Sequence, residues 1–158
     1  GLVGEWKFDG GNNRGEVIVW DTMGSSDESD WVRVFDPSHK FVGNCVVENG
    51  LIRINLSYVD PKVYWWDGST WKSHFQIRNL IETTDVTSFS QLVIESLSLE
   101  EVSVKRREVS PNGEDWVTYA LRRGKYDVEV TSLGGKVNFS RFNEQKVQAY
   151  RSGGRGGG

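Results

Sequence analysis

The chain has 158 residues, a net charge of −3 and an aromatic content of 12%. This length suits one domain with a hydrophobic core of its own. The weak negative charge excludes a general electrostatic attraction to nucleic acid. The single cysteine, Cys45, excludes an intrachain disulfide, and no stretch is long and apolar enough to span a membrane.

Short strand-like segments recur along the chain every ~8–12 residues, separated by turn residues. No apolar pattern holds the helical spacing over three turns. These features predict an all-β, antiparallel two-sheet sandwich of jelly-roll type, formed by residues 1–152. The glycine-rich residues 153–158 are interpreted as a tail or linker. The predicted strands lie at residues 2–8, 16–20, 31–35, 41–47, 51–56, 92–94, 99–104, 116–121, 126–130, 137–139 and 145–150.

The sequence YWWDGSTWK, residues 64–72, predicts a hairpin in the middle of the chain. Glycine tolerates the positive φ of short hairpin loops, so a turn at Gly68-Ser69 pairs Trp66 with Trp71. Strand side chains alternate between two faces. The face predicted to join the core carries Tyr64, Trp66, Trp71, Phe75 and Ile77. The face predicted to point outward carries Val63, Trp65, Lys72 and His74.

The outward face of this hairpin predicts a carbohydrate site formed by Trp65, Lys72 and His74. Sugars stack their apolar C–H faces on flat rings, while polar side chains bind their hydroxyl groups. The alternative is that the second sheet or residues 79–90 cover Trp65, because large aromatic side chains are usually mostly buried.

Catalytic and metal-binding patterns are weak in this chain. Two histidines and one cysteine provide no zinc spacing, and no strand carries two carboxylates on one face as glycoside hydrolysis would need. We therefore expect neither an enzyme nor a cofactor. Asp27, Glu28 and Asp30 could offer oxygen ligands to calcium, although a solvated acidic loop is the simpler interpretation.

The charges are unevenly distributed, with a net charge of −7 in residues 1–100 and +4 in residues 101–158. This polarity could support head-to-tail association into a homo-oligomer, although a solvated surface is the simpler interpretation. The residues 105–107 read as a charged break between strands and, with Arg122 and Arg123, form a basic cluster that could meet an acidic partner. Because exposed aromatic residues do not alternate with these charges, we do not expect single-stranded nucleic acid to bind.

The opening residues GLVGEWKFD, 1–9, resemble the first strand of laminin-G-like, concanavalin-type jelly rolls. The resemblance implies a two-sheet sandwich whose loops or concave face contact a ligand, without catalysis. We expect a non-catalytic surface or accessory module that recognises carbohydrate, in an extracellular or virion-surface setting. The alternative is a structural subunit or domain that assembles with like subunits in a virion, tail or extracellular filament.

Overall fold

The computed structural model describes residues 15–78 and 86–140. They form one short 3-10 helix, Glu28–Asp30, and a series of β strands. The first six strands are β1 (Ile18–Asp21), β2 (Val32–Arg33), β3 (Cys45–Glu48), β4 (Ile52–Asn55), β5 (Lys62–Trp66) and β6 (Trp71–Gln76). The next five are β7 (Ser88–Leu97), β8 (Glu101–Ser110), β9 (Gly113–Arg122), β10 (Asp127–Ser132) and β11 (Gly135–Ser140).

The strands pair into two antiparallel sheets, which confirms the predicted all-β sandwich. One sheet has six strands in the order β2-β1-β3-β4-β5-β6, and the other has five in the order β11-β10-β9-β8-β7. The described chain completes the six-stranded sheet before it enters the five-stranded one, and neighbouring strands are also neighbours in sequence except that β1 lies between β2 and β3. A jelly roll instead contains Greek-key connections, so the sandwich keeps the predicted architecture with a simpler strand order. No helix in residues 15–78 or 86–140 has the length and apolarity that crossing a membrane requires.

The turns lie where the sequence places its turn residues. Asn49-Gly50 links β3 to β4, and Asn112-Gly113 links β8 to β9. Gly50 and Gly113 have φ values of 83° and 134°, a region that glycine enters without a Cβ clash. Predicted strands 2–8 and 145–150, the laminin-like segment and the tail lie outside the described residues.

One hydrophobic core fills the space between the sheets. It forms because each strand alternates apolar inward and polar outward residues. The six-stranded sheet contributes residues that include Val19, Val47, Ile52, Ile54 and Val63. The five-stranded sheet contributes residues that include Val102, Val104, Val117, Tyr119, Val128 and Val130.

A buried arginine ties the two sheets together. Arg106 on β8 has no solvent exposure, and its guanidinium donates hydrogen bonds of 2.5–2.8 Å to three carbonyl oxygens of the β4–β5 connection. Its Nε donates to the Glu108 carboxylate at 2.8 Å, and the Tyr119 hydroxyl donates to the same carboxylate. The predicted charged break at residues 105–107 is wrong, because β8 runs straight through it and the burial of Arg106 is compensated by these bonds.

The central hairpin has the predicted cross-strand pair, but its faces differ from the prediction. Trp66 pairs with Trp71, with ring centroids 5.3 Å apart. Beyond Tyr64, which pairs with Ser73, the register shifts and Val63 pairs with Phe75. The residue inserted between these pairs makes a β-bulge, which interrupts strict alternation.

The register with β4 decides which face of the hairpin is inside. Trp65 pairs with Ile52 and Val63 pairs with Ile54, and Ile52, Ile54 and Val63 are fully buried. The face of Val63 and Trp65 is therefore the inner one, and the predicted outward direction is wrong. The prediction of a core position was correct for Ile77, which joins the core, and Phe75 packs against it. It was wrong for Tyr64, Trp66 and Trp71, which lie on the outer face.

Candidate functional site

The predicted carbohydrate residues lie near the end of the hairpin. Trp65 is half-buried and pairs with the exposed Lys72, whose Nζ lies 3.6 Å from the Asp67 carboxylate. His74 lies at the bulge, and its ring contacts that of Phe75 edge-on at 4.7 Å. The structure thus brings Trp65 and Lys72 together across the strands, whereas the bulge takes His74 out of their alternation. A sugar site at Trp65 stays a prediction.

The acidic loop predicted as a calcium candidate directs its three carboxylates to different partners. Asp27 accepts hydrogen bonds from the backbone N–H and the hydroxyl of Ser29, at 3.0 and 2.7 Å. Glu28 pairs with Arg53 at 2.9 Å, and the Asp30 carboxylate accepts a bond from a serine hydroxyl at 2.8 Å. Across the two described ranges, no group of three or more His, Cys, Asp or Glu side chains could hold a metal ion.

Three arginines of the predicted basic cluster pair with nearby carboxylates. Arg107 donates to Glu114, with Nε at 2.6 Å. A second pair joins Arg122 to Glu129 at 2.8 Å, and a third joins Arg123 to Glu100 at 2.9 Å. Because these arginines have acidic partners and Arg106 is buried, Lys105 is the member of the cluster without an ion pair among the described residues.

The outer face of the six-stranded sheet buries an ion pair under aromatic rings. Arg53 is nearly inaccessible and donates to Glu28 and Glu48, at 2.9 and 3.2 Å. Its guanidinium carbon lies 4.5 Å from the ring centroid of Trp71 and 5.2 Å from that of Trp31. The rings attract the guanidinium, and removing either partner of such a buried ion pair would leave the other charge uncompensated. These contacts occupy the guanidinium, so we assign this region to stability.

A buried aspartate organises the loops at one end of the six-stranded sheet. The Asp21 carboxylate accepts bonds from the backbone N–H groups of Met23, Val42 and Gly43, at 2.8–2.9 Å, and lies 2.8 Å from His39 Nε2. Burial opposes ionisation, but the bonds from His39 and the three backbone groups outweigh it and keep the pKa of Asp21 below its ordinary value. This ionised carboxylate is saturated by its donors, which is typical of a structural anchor.

Burial limits the reactivity of the cysteine and of two ionisable groups that line a cleft. Burial raises the pKa of the Cys45 thiol, so it stays protonated and inert. A cleft of about 330 Å³, counted with the solvent at its mouth, is lined by residues that include Glu108 and Tyr119. Burial also raises the pKa of the Tyr119 hydroxyl well above its ordinary value. The Glu108 carboxylate is engaged by Arg106 and Tyr119 as part of the tie between the sheets.

The outer face of the five-stranded sheet is the open surface. Trp116 on β9 is 40% exposed there and pairs with Arg107 on β8. The Lys105 Nζ lies 5.0 Å from the centroid of the Trp116 ring. The next cross-strand row runs from Lys105 through Thr118 and Thr131 to Lys136, so hydroxyl and ammonium groups border the ring on one side. A flat exposed ring beside hydrogen-bonding groups is the arrangement that sugar stacking requires.

Trp116 was not among the predicted site residues, although the alternation of β9 contains the signal. Val117, Tyr119 and Leu121 are apolar and lie at every second position, and all three are buried. The same alternation turns Trp116 away from the core. Trp65 and Trp116 are the same residue type, so residue type alone does not identify the exposed ring. The burial of the neighbouring side chains on each strand separates the exposed ring from the half-buried one.

No family model matches the sequence, and neither a curated protein nor a solved structure matches it. The class to which the chain belongs is therefore defined by its own fold and surface: an antiparallel β-sandwich with one covered and one open sheet face. The open face carries an exposed tryptophan with polar neighbours, and this surface is the basis for assigning a function.

Proposed function

We propose that this domain is a non-catalytic module that recognises carbohydrate, with Trp116 as the ring on which a sugar stacks. The observation that carries the proposal is the 40% exposure of this ring on the outer face of a regular sheet. A partly exposed tryptophan gives up little solvation when an apolar sugar face covers it, and both gain contact area. Such a module would serve as an accessory domain at a cell or virion surface.

The chemistry around the ring supports recognition of a hydroxylated ligand. Thr118 and Thr131 lie side by side on β9 and β10, between Lys105 and Lys136. The Thr118 hydroxyl donates to Glu95 and can still accept a hydrogen bond, the Thr131 hydroxyl can donate or accept, and each ammonium group is a donor. The carboxylates of the described sites serve as caps, ion-pair partners or anchors, so binding without catalysis is the better-supported activity.

Assembly with like subunits is the second candidate function, and the length of β7 favours it. This ten-residue strand lies at the edge of the five-stranded sheet among the described residues, and edge strands can add a strand from another chain. The pairing of β7 with β8, however, is irregular at two places, between Phe89 and Leu92 and between Ile94 and Ser96. Bulges of this kind oppose edge-to-edge pairing, and we therefore rank carbohydrate recognition first.

A glycan array probed with the wild-type domain and with the Trp116→Ala and Trp65→Ala variants tests the proposed function. We expect selective glycan binding by the wild type and a loss of about tenfold to a hundredfold in Trp116→Ala, by analogy with base stacking on aromatic rings. Circular dichroism would verify that Trp116→Ala is folded. Binding that survives in Trp116→Ala and disappears in a folded Trp65→Ala would instead support the hairpin site. No binding to any glycan would contradict the proposal.

A further inference from the structure

We infer that the ligand of the Trp116 surface is an anionic saccharide, whose carboxylate or sulfate group contacts Lys105 while its ring lies on Trp116. This inference rests on the carbohydrate recognition proposed above and adds the chemical class of the sugar. The observation behind it is that Lys105 differs from the other cations of the same sheet face.

The other positive charges on this face have acidic partners. Arg107 is paired with Glu114, while Arg122 and Lys136 share the Glu129 carboxylate at 2.8 and 3.4 Å. Each of these exposed cations has a carboxylate within 4.0 Å, so each adds less to the attraction of an external anion than an unpaired cation does.

Lys105 has no such partner among the described residues. No carboxylate of residues 15–78 or 86–140 lies within 4.0 Å of its ammonium group, and its recorded contact is the Trp116 ring at 5.0 Å. The ring attracts the ammonium electrostatically but leaves its full charge. A cation of this face that has no ion-pair partner among the described residues therefore lies beside the exposed stacking surface.

The cross-strand row from Lys105 to Lys136 would align such a ligand across the strands. Neighbouring strands lie ~4.8 Å apart, so the row from Lys105 to Lys136 crosses three spacings and extends over ~14 Å. A short oligosaccharide fits this length, with the hydroxyls of Thr118 and Thr131 beneath it. An acidic group at the Trp116 end would meet the Lys105 ammonium, and a charge-assisted hydrogen bond is roughly twice as strong as a neutral one.

One carboxylate on the same edge of the surface opposes an anionic ligand and gives the inference a second test. Glu95 is exposed and accepts a hydrogen bond of 3.1 Å from the Thr118 hydroxyl. Its negative charge would repel a sugar anion bound at Lys105. Removing that charge should strengthen binding of an acidic saccharide and leave binding of a neutral one nearly unchanged.

Matched polymers with and without charge test the inference in affinity gel electrophoresis. The probes are carboxymethyl cellulose against hydroxyethyl cellulose, and dextran sulfate against dextran. We expect the wild type to be retarded by at least one anionic polymer and far less by its neutral counterpart. Lys105→Gln should weaken that retardation about tenfold, as expected for one charge-assisted contact. Glu95→Gln should strengthen it, and added salt should weaken it.

Arg122→Gln is the control, because it removes one positive charge from the same face, outside the row from Lys105 to Lys136 and away from the ring. It should change binding less than about twofold, since Arg122 is paired with Glu129. Equal losses in Arg122→Gln and Lys105→Gln would show non-specific charge attraction and overturn the inference. Equal retardation by neutral and anionic polymers that depends on Trp116 would also overturn it, while the proposed function would stand. Retardation by none of the polymers, or retardation that Trp116→Ala leaves unchanged, would count against both.

Discussion

The outer faces of the two sheets carry the same residue types but differ in how much of each side chain is exposed to solvent. On the six-stranded sheet, Arg53 and Glu48 are almost inaccessible, and the arginine lies between two tryptophan rings. On the five-stranded sheet, Arg107 and Glu114 form a pair whose side chains remain 40% and 47% exposed, and Trp116 beside them faces solvent. The same residue types are thus buried on one face and left accessible on the other.

This difference indicates that side chains on the outer face of the six-stranded sheet contribute to stability, whereas those on the five-stranded sheet are available for recognition. A buried ion pair is costly to break, because removing one partner leaves the other charge uncompensated. An exposed pair contributes little to stability. Substitutions on the five-stranded face should therefore weaken binding with little loss of stability. Substitutions on the six-stranded face should lower the free energy of unfolding and leave binding by the folded protein unchanged.

The sharpest contrast compares Arg53→Met with Arg107→Met. We expect Arg53→Met to lower the free energy of unfolding by about 3–5 kcal/mol, because the buried Glu48 loses its compensating charge. Arg107→Met should lower it by less than about 1 kcal/mol. Urea unfolding of both variants measures the difference, and similar losses would remove the distinction between the two faces.

Trp65→Ala compares the half-buried ring of the hairpin with Trp116. Trp65 pairs with the fully buried Ile52 on the inner face, so truncation should lower the free energy of unfolding by about 2 kcal/mol. That value is smaller than for a fully buried tryptophan. Thermal melts followed by circular dichroism measure it. An unchanged melting temperature together with lost sugar binding would restore the hairpin as the site.

The Asp21 anchor extends the contrast to the loops of the six-stranded sheet. Its pKa in the folded protein is lower than the ordinary value of 3.8. The stability that the ionised carboxylate contributes is therefore complete above the ordinary pKa and is lost as the pH falls through the folded-state pKa. Wild-type protein should exceed Asp21→Asn in stability at pH 6, and the gap should narrow towards pH 2. Urea midpoints across this range measure the gap, and a constant gap would contradict the assignment.

The sequence predicted the sandwich and several of its turns, because these depend on local patterns. Glycine and asparagine mark the hairpin turns at Gly50 and Gly113, and equal distance from Gly68-Ser69 was enough to pair Trp66 with Trp71. Such features need only nearest-neighbour chemistry and the period of two along a strand.

The faces of the hairpin and the burial of Arg106 could not be predicted in this way. The pairing of β5 with β4 turns Trp65 inward, and a one-residue bulge at His74 changes which side chains of β6 share a face beyond it. Arg106 is buried because carbonyl groups of residues 56–59 come to meet it from the other sheet. Such long-range compensation becomes visible only when the two sheets are placed together.

The measurement that tests the account most directly is the paired effect of Trp116→Ala on stability and on binding. Trp116 is exposed on the open face, so we expect a melting temperature close to that of the wild type and a loss of saccharide binding of about tenfold or more. The same melts and the same polymers used with Trp65→Ala give the opposite pattern if the account is correct. A Trp116→Ala protein that melts several degrees lower and still binds saccharide as the wild type does would contradict it.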